Sequence, residues 1–416
     1  MFPRPARFLG ALAFVGATIT LAPTLRVDAA PAPSFRHVTV DDRIAIGYGL
    51  AIADVDGDRR LDIVLADKKV IAWYQAPDWK RHVIVEGLTE LDNVCVAARD
   101  LDGDGRAEIA AGAGWNPGDT IASGALFYLK PAADRTQPWE PIRLAHDPTI
   151  HRIRWIRNTA GGFDLISLPL HGRGNRNGLG DGVRVLAYHP PADVKAPWTT
   201  TELQRAWHAT HNFDVVGDGS AGTGEFLRVA AREGVFALRP MAGAGTDSWK
   251  VETIASRDAG TPEFIGAGEV RSGRAGDGSP LVATIEPMHG NQVVVYRPDA
   301  KESKAPWRRT VLDSTLVDGH GIACADVLGL GHDQVIAGWR AMTGPGKPVG
   351  IRLYAPLDDA ATRWETHVID DNKMACEDLQ VADLDSDGDL DLVAAGRGTR
   401  NLKIYFNESQ PRTRRP

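Results

Sequence analysis

The chain is 416 residues long and carries 54 acidic against 47 basic side chains, a formal net charge of −7, with 43% hydrophobic residues and 3 cysteines. This acidic balance argues against a nucleic-acid or anionic-membrane partner, and so few cysteines cannot build a disulfide scaffold. Length alone would suggest two or three domains, but a repeat running through residues 34–407 makes them one.

At the N-terminus Arg4 and Arg7 precede an apolar run over residues 8–21, and Ala29 and Ala30 offer small residues for cleavage. Residues 1–30 therefore read as a secretory signal peptide. The run is shorter than the roughly 20 residues a spanning helix needs, and no cysteine is there to take a lipid. The expectation is a secreted or periplasmic protein with no membrane anchor.

The first strand-like run, residues 35–40 (FRHVTV), copies the pattern of residues 79–85 (WKRHVIV) before any repeat has begun. Behind it, seven times, an apolar strand enters an acidic loop and a second apolar strand leaves it. Three loops are intact: DVDGDRRLD from Asp54, DLDGDGRAE from Asp100 and DLDSDGDLD from Asp383. Four have decayed, with first positions at Ile156, Asp214, Glu269 and Asp326, so the repeat advances by about 46 to 58 residues. Each unit holds four short β-type runs, as in the second, over residues 94–98, 109–111, 125–129 and 139–144. The third run carries aromatics (Tyr74, Tyr128, Tyr188, Phe236, Tyr296, Tyr354, Tyr405), and the fourth opens on Trp79, Trp139, Trp198, Trp249, Trp307 and Trp364.

Four strands in about 40 to 60 residues make one propeller blade. Residues 31–416 are thus expected to form an all-β, seven-bladed β-propeller with four-stranded blades. Six of the seven blades own an opening tryptophan, and nothing strand-like follows Asn407. Residues 35–40 should therefore pair with residues 402–406 and close the last blade, hiding two exposed edges.

Asp54, Asp56, Asp58 and Asp62 stand at positions 1, 3, 5 and 9 of a nine-residue turn, as do Asp100, Asp102, Asp104 and Glu108, and Asp383, Asp385, Asp387 and Asp391. With a backbone carbonyl, these carboxylates form the oxygen-only shell that Ca²⁺ prefers, and without an ion they repel one another. Gly105 and Gly388 relax the turn at position 6, where the first loop has Arg59. Structural Ca²⁺ is the expectation. The loops resemble the FG-GAP or VCBS-type repeats of integrin-like propellers, and that resemblance implies ions that stabilise the blades.

If the acidic loops lie on one face, the starts of the first strands and the ends of the second strands meet around the axis on the other. Six residues before position 1 stand Tyr48, Val94, Ile150 beside His151, His208, Glu263, His320 and Glu377. The second strands end at Trp115, His171, Arg232, Glu286 with His289, Trp339 with Arg340, and Arg397. With His211 just below, half of the 12 histidines fall in one central pocket. A lone histidine is usually a hydrogen-bonded core residue, but convergence from separate blades of groups costly to bury points to a ligand, a metal or catalysis.

The candidate catalytic residues are therefore His151, His208, Glu263, His320 and Glu377, suited to proton abstraction and return. Tyr48, Trp115, His171, Arg232, His289, Trp339, Arg340 and Arg397 are the candidate substrate-binding residues, with guanidiniums for a developing oxyanion and indoles for a sugar face. Histidine with glutamate also suits Zn²⁺ or Mn²⁺, so a divalent metal in the axial pocket is a further expectation. No P-loop, G-x-S-x-G or H-E-x-x-H motif occurs.

Leu170-His171-Gly172, the run EPMHGN beginning at Glu286 and Gly338-Trp339-Arg340 make the ring resemble the propeller domain of the aldos-2-ulose dehydratases, which eliminate water from keto-sugars such as 1,5-anhydrofructose. The resemblance implies a carbon–oxygen lyase with a metal in its propeller and a keto-sugar as its partner; a monomer is the separate expectation. Other readings stay open: a carbohydrate- or protein-binding propeller without chemistry, and a hydrolase or another metal-dependent enzyme.

Overall fold

The computed structural model describes residues 1, 32–217, 224–241, 249–298, 307–341 and 346–409; the apolar run and cleavage site read as a signal peptide lie outside them. Seven four-stranded antiparallel sheets make up the described residues, with no helix among them. In six sheets four consecutive strands pair in chain order, the first being Gly49–Ala53, Asp62–Ala66, Val70–Gln75 and Lys80–Glu86. The seventh takes Cys376–Ala382, Asp391–Gly396 and Asn401–Asn407 from the end of the chain and its outer strand, Phe35–Asp41, from the beginning. The register runs from Phe35 opposite Asn407 to Thr39 opposite Lys403, which is the closure the sequence predicts.

The recurring residues now have physical reasons. Tyr74, Tyr354 and Tyr405 are fully buried in third strands. Their hydroxyls donate to Asp41, Asp313 and Asp370 at 2.8, 2.7 and 2.8 Å, each at the end of the preceding blade's outer strand. These charge-assisted bonds staple blade to blade. The indole N–H groups of Trp139, Trp198 and Trp364 donate to the carbonyls of Arg135, Val194 and Ala361, closing the turn that feeds the outer strand. The three cysteines are free thiols, and a Cβ at Gly338 would meet Cys376 Sγ at 2.4 Å, so two blades touch there through a missing side chain.

Position 9 of each acidic loop is a clasp. Asp62, Glu108 and Asp391 accept the backbone N–H of Val55, Leu101 and Leu384 at 2.9, 3.0 and 2.9 Å. In the decayed sixth loop Gln334 does the same for Leu328 at 2.8 Å.

The innermost strands are Gly49–Ala53, Cys95–Arg99, Ile150–Arg157, Thr210–Gly217, Glu269–Arg274, Gly319–Ala325 and Cys376–Ala382. They touch one another in ring order, the last against the first. Four of them slip register at their entry, skipping His151, His211, His320 and Glu377 in the pairing with the second strand. A bulge of this kind re-aims the extra residue's side chain, and here it faces the axis.

Removing residues 32–41 should bare the edge of Asn401–Asn407. A lower Tm and concentration-dependent self-association in analytical ultracentrifugation are expected; a deletion variant as stable and monodisperse as the parent would refute closure.

Candidate active site

The bulged histidines are tied across blade boundaries. His151 Nδ1–H donates to the carbonyl of His211 at 2.7 Å, His211 Nδ1–H to that of Gly268 at 3.0 Å, and His320 Nδ1–H to that of Glu377. A carbonyl can only accept, so these bonds put the proton on Nδ1 and leave Nε2 as a lone pair. His289 joins them from the turn after Pro280–Glu286, with a left-handed backbone (φ 53°). Its Nε2 faces His211 Nε2 at 2.6 Å. The ring centroids of His211 and His289 are 4.5 Å apart, and each lies 5.1 Å from His320. One nitrogen from each of these three lies within 4.8 Å of the others.

Burial keeps the cluster neutral. It holds His151, His211 and His320 well below the usual imidazole range, and burial with the neighbouring His211 pushes His289 down to about 2. His151 is fully engaged, because its Nε2 also meets Arg152 Nη1 at 3.3 Å. Behind His211, Glu269 Oε1 lies 2.9 Å from Nδ1 while Oε2 accepts from Asn212, and burial pushes this carboxyl up.

Beside the histidines stands a guanidinium array. Glu377, buried, accepts from Arg340 Nη1 at 2.7 Å and from Arg397 Nη1 at 2.8 Å. Arg340 Nε is buried without a hydrogen-bond partner, a donor still to be used. The Arg397 guanidinium sits 5.1 Å from the Tyr48 ring. Tyr48 donates to Asp92 Oδ2 at 3.1 Å, and burial pushes its hydroxyl up to about 12. Trp115, half-buried, sets its ring 4.9 Å from His151.

The axis thus gathers Tyr48, Trp115, His151, His289, His320, Arg340, Glu377 and Arg397 of the residues singled out from sequence. It does not gather the others. His208 is a rim residue whose N–H donates to Glu233 Oε1 at 3.0 Å, and Glu263 is exposed in the connection between blades 4 and 5. The carbonyl chain from His151 to His211 to Gly268 identifies the true equivalents as His211 and Gly268. Both misplacements arose by counting back from Asp214 and Glu269, which lie inside their strands. Arg232, 47% exposed, pairs with Glu233 on the rim, and His171 hangs by Nδ1 on the carbonyl of His208. Trp339 is core: its indole donates to the carbonyl of Pro348 at 2.7 Å, and Arg352 covers its ring at 4.8 Å. Sequence reasoning put His211 just below the pocket without a role and missed Glu269 as a site residue; the signal available was the run of small or polar residues around each bulge, as in Thr210-His211-Asn212 and Gly319-His320-Gly321.

On the opposite face, oxygens of Asp54, Asp56 and Asp58, of Asp100, Asp102 and Glu108, and of Asp383, Asp385 and Asp391 come within 4.8 Å of one another in their loops. Asp104 and Asp58 accept the N–H of Arg106 and Arg60 at 2.8 Å, and Asp387 that of Asp389 at 3.2 Å. Asp62 gives both oxygens to backbone N–H groups, those of Val55 and Ala76. Arg59 adopts φ 71°, close to the 84° and 98° of Gly105 and Gly388.

Residues 123–299 match the family described as aldos-2-ulose dehydratase, beta-propeller domain, and residues 54–111 match the FG-GAP-like repeat. The aldos-2-ulose dehydratase of Phanerodontia chrysosporium is 25% identical over 348 residues, covering 75% of this chain and 36% of that relative. Among solved structures, BBS1N in complex with ARL6DN matches with TM-score 0.55 at 13% identity, over 92% of this chain and 99% of that one. A chain of the mitotic checkpoint complex matches with TM-score 0.52 at 14% identity, over 96% and 98%. These two likenesses show the fold alone. The chain is a seven-bladed propeller related at low identity to the propeller domain of aldos-2-ulose dehydratase.

Proposed function

We propose that this propeller is a metal-dependent carbohydrate lyase that eliminates water from a keto-sugar in the axial pocket. The observation that carries the reading is the meeting of His211, His289 and His320, from three blades, around one point. Two imidazole nitrogens at 2.6 Å need a proton or a cation between them, and neutral imidazoles suit Zn²⁺ or Mn²⁺. The Gly268 carbonyl that takes the Nδ1 proton of His211 fixes that ring with Nε2 free, as the backbone partners of metal-ligating histidines do. A metal held there would supply Lewis-acid polarisation of the substrate carbonyl.

The pocket's own side chains supply the rest. Trp115 offers a flat face to a sugar ring. Arg340, with its unpartnered Nε, and Arg397 place donors where charge develops on oxygen. Tyr48 stays protonated at neutral pH because burial raises it to about 12. Its Oη takes the proton α to the carbonyl as it passes its own to Asp92 Oδ2, then gives a proton to the departing β-hydroxyl as it takes one back from Asp92, so that the hydroxyl leaves as water and both side chains end as they began.

The test is ultraviolet absorbance of an unsaturated carbonyl when purified protein meets keto-sugars such as 1,5-anhydrofructose. Chelation should abolish turnover, and Zn²⁺ or Mn²⁺, not Ca²⁺, should restore it. Tyr48→Phe should lower kcat by about 10² to 10⁴ with Tm unchanged. Saturable sugar binding with no turnover in any metal would leave the non-catalytic binding propeller standing instead.

Structural Ca²⁺ in the three intact acidic loops, export from the cytoplasm and a monomeric state complete the proposal. The clustered loop oxygens support the first of these. At about 100-fold above its Kd one ion contributes roughly 2.7 kcal/mol, so chelation should lower Tm measurably by calorimetry. Asp102→Ala and Asp385→Ala should each remove part of that dependence, and an unchanged Tm in chelator would show the loops to be solvated turns.

A further inference from the structure

Three residues below the bulged positions the lumen opens again. Ala51, Ala97, Arg154, Asp214, Arg271 and Gln380 stand at one depth in six blades and line a cavity of about 270 Å³. The two alanines leave the room, while the charged side chains sit together on blades 3 to 5. Asp214 already gives Oδ2 to the N–H of Ser272 at 2.8 Å. Arg154 donates from Nε and Nη2 to the carbonyl of Phe213 and to Asn212 Oδ1, at 3.1 and 3.2 Å. Arg271 donates from Nη1 to the carbonyl of Val270 at 2.7 Å. A further lining arginine, Arg99, is closed bidentately on Glu225 at 2.7 and 2.9 Å. Asp214 and Asp378 both act on Arg154 through their charge, but Asp378 spends its two oxygens on the N–H groups of Leu50 and Leu379, and among the described residues neither guanidinium closes on a carboxylate as an ion pair, so both forks stay open to an anion.

We infer that this lower lumen binds a small oxyanion, a carboxylate or a phosphate, between the guanidinium groups of Arg154 and Arg271. Guanidinium forks match such anions in geometry and charge, and the protein walls strengthen the attraction relative to water. Like charges enclosed together without an anion are costly: burial and the facing Arg271 push Arg154 down to about 10. The site lies below the histidine layer and is independent of the chemistry proposed there.

Titration of the purified chain with sodium phosphate, and separately with sodium acetate, at ionic strength held constant with chloride, reads the site by calorimetry and thermal shift. A saturable heat and a saturable rise in Tm are expected from at least one anion. Response to phosphate alone identifies a phosphate-class ligand, and response to acetate a carboxylate. Arg271→Gln should weaken the midpoint about tenfold or more, the loss of one charge-assisted bond. Ala97→Leu should fill the lumen and abolish binding while both guanidiniums and the circular dichroism spectrum stay as they are. Non-saturable responses to both anions, or a midpoint unmoved by both substitutions, would overturn the inference.

Discussion

Seven strands sharing one axis is the constraint on which this molecule depends. Rotation from blade to blade brings residues at equal positions in the inner strands to equal depth, so whatever stands there must share one narrow lumen. At one depth four bulged positions place His151, His211, His320 and Glu377 together; three residues lower, two arginines and an aspartate share a cavity with alanines. Polar groups brought out of water in this way have to find partners. They find them across blade boundaries, since each inner histidine hands its Nδ1 proton to the next blade's backbone. The candidate site is therefore also a seam of the ring.

The two faces divide the work. On one, nine-residue loops hold the first and second strands together through a position-9 acceptor, and this clasp survives in the sixth blade as Gln334, where positions 3 and 5 have lost their acids. The position-1 aspartates Asp54, Asp100, Asp326 and Asp383 also accept N–H groups of their own loops, and clustered carboxylates stand only in the first, second and seventh loops among the described residues. On the other face the inner strands begin, bulges interrupt the ladder, and side chains turn inward. The acidic loops and the inward-turned polar side chains occupy opposite ends of the same strands, an arrangement common where functional residues sit at strand termini above a packed scaffold.

The blade count and closure were legible because their signals are local: a tryptophan that caps its own turn, a tyrosine that reaches a neighbouring aspartate, an acidic loop between apolar runs. The axial site was half legible. Offsets from Asp54, Asp326 and Asp383 reached Tyr48, His320 and Glu377, since those loops keep their first acid. Where it is lost the same arithmetic landed on His208 and Glu263, because Asp214 and Glu269 are strand residues, one lining the lower lumen and one backing His211. A bulge adds a residue that no periodicity announces. Trp339 failed for another reason, as an indole at a strand end reads as a sugar platform until its N–H is found on the carbonyl of Pro348.

Most ionisable groups at the axis are already occupied by their neighbours. Glu377 is held by two guanidiniums and Glu269 stands against His211. His151 has both nitrogens engaged, while His211 and His320 have a single lone pair each, aimed at the axis. His289 has its Nε2 pressed against His211. Glu377, His151 and His289 are committed to partners, and protonating His211 or His320 on Nε2 would put a charge into a cluster that burial keeps neutral. Tyr48 differs. Its hydroxyl carries a proton, its acceptor Asp92 is a carboxylate within hydrogen-bonding reach, and the guanidinium of Arg397 lies against its ring. In a pocket otherwise built of engaged groups, that pair is the one on which the proposed elimination draws.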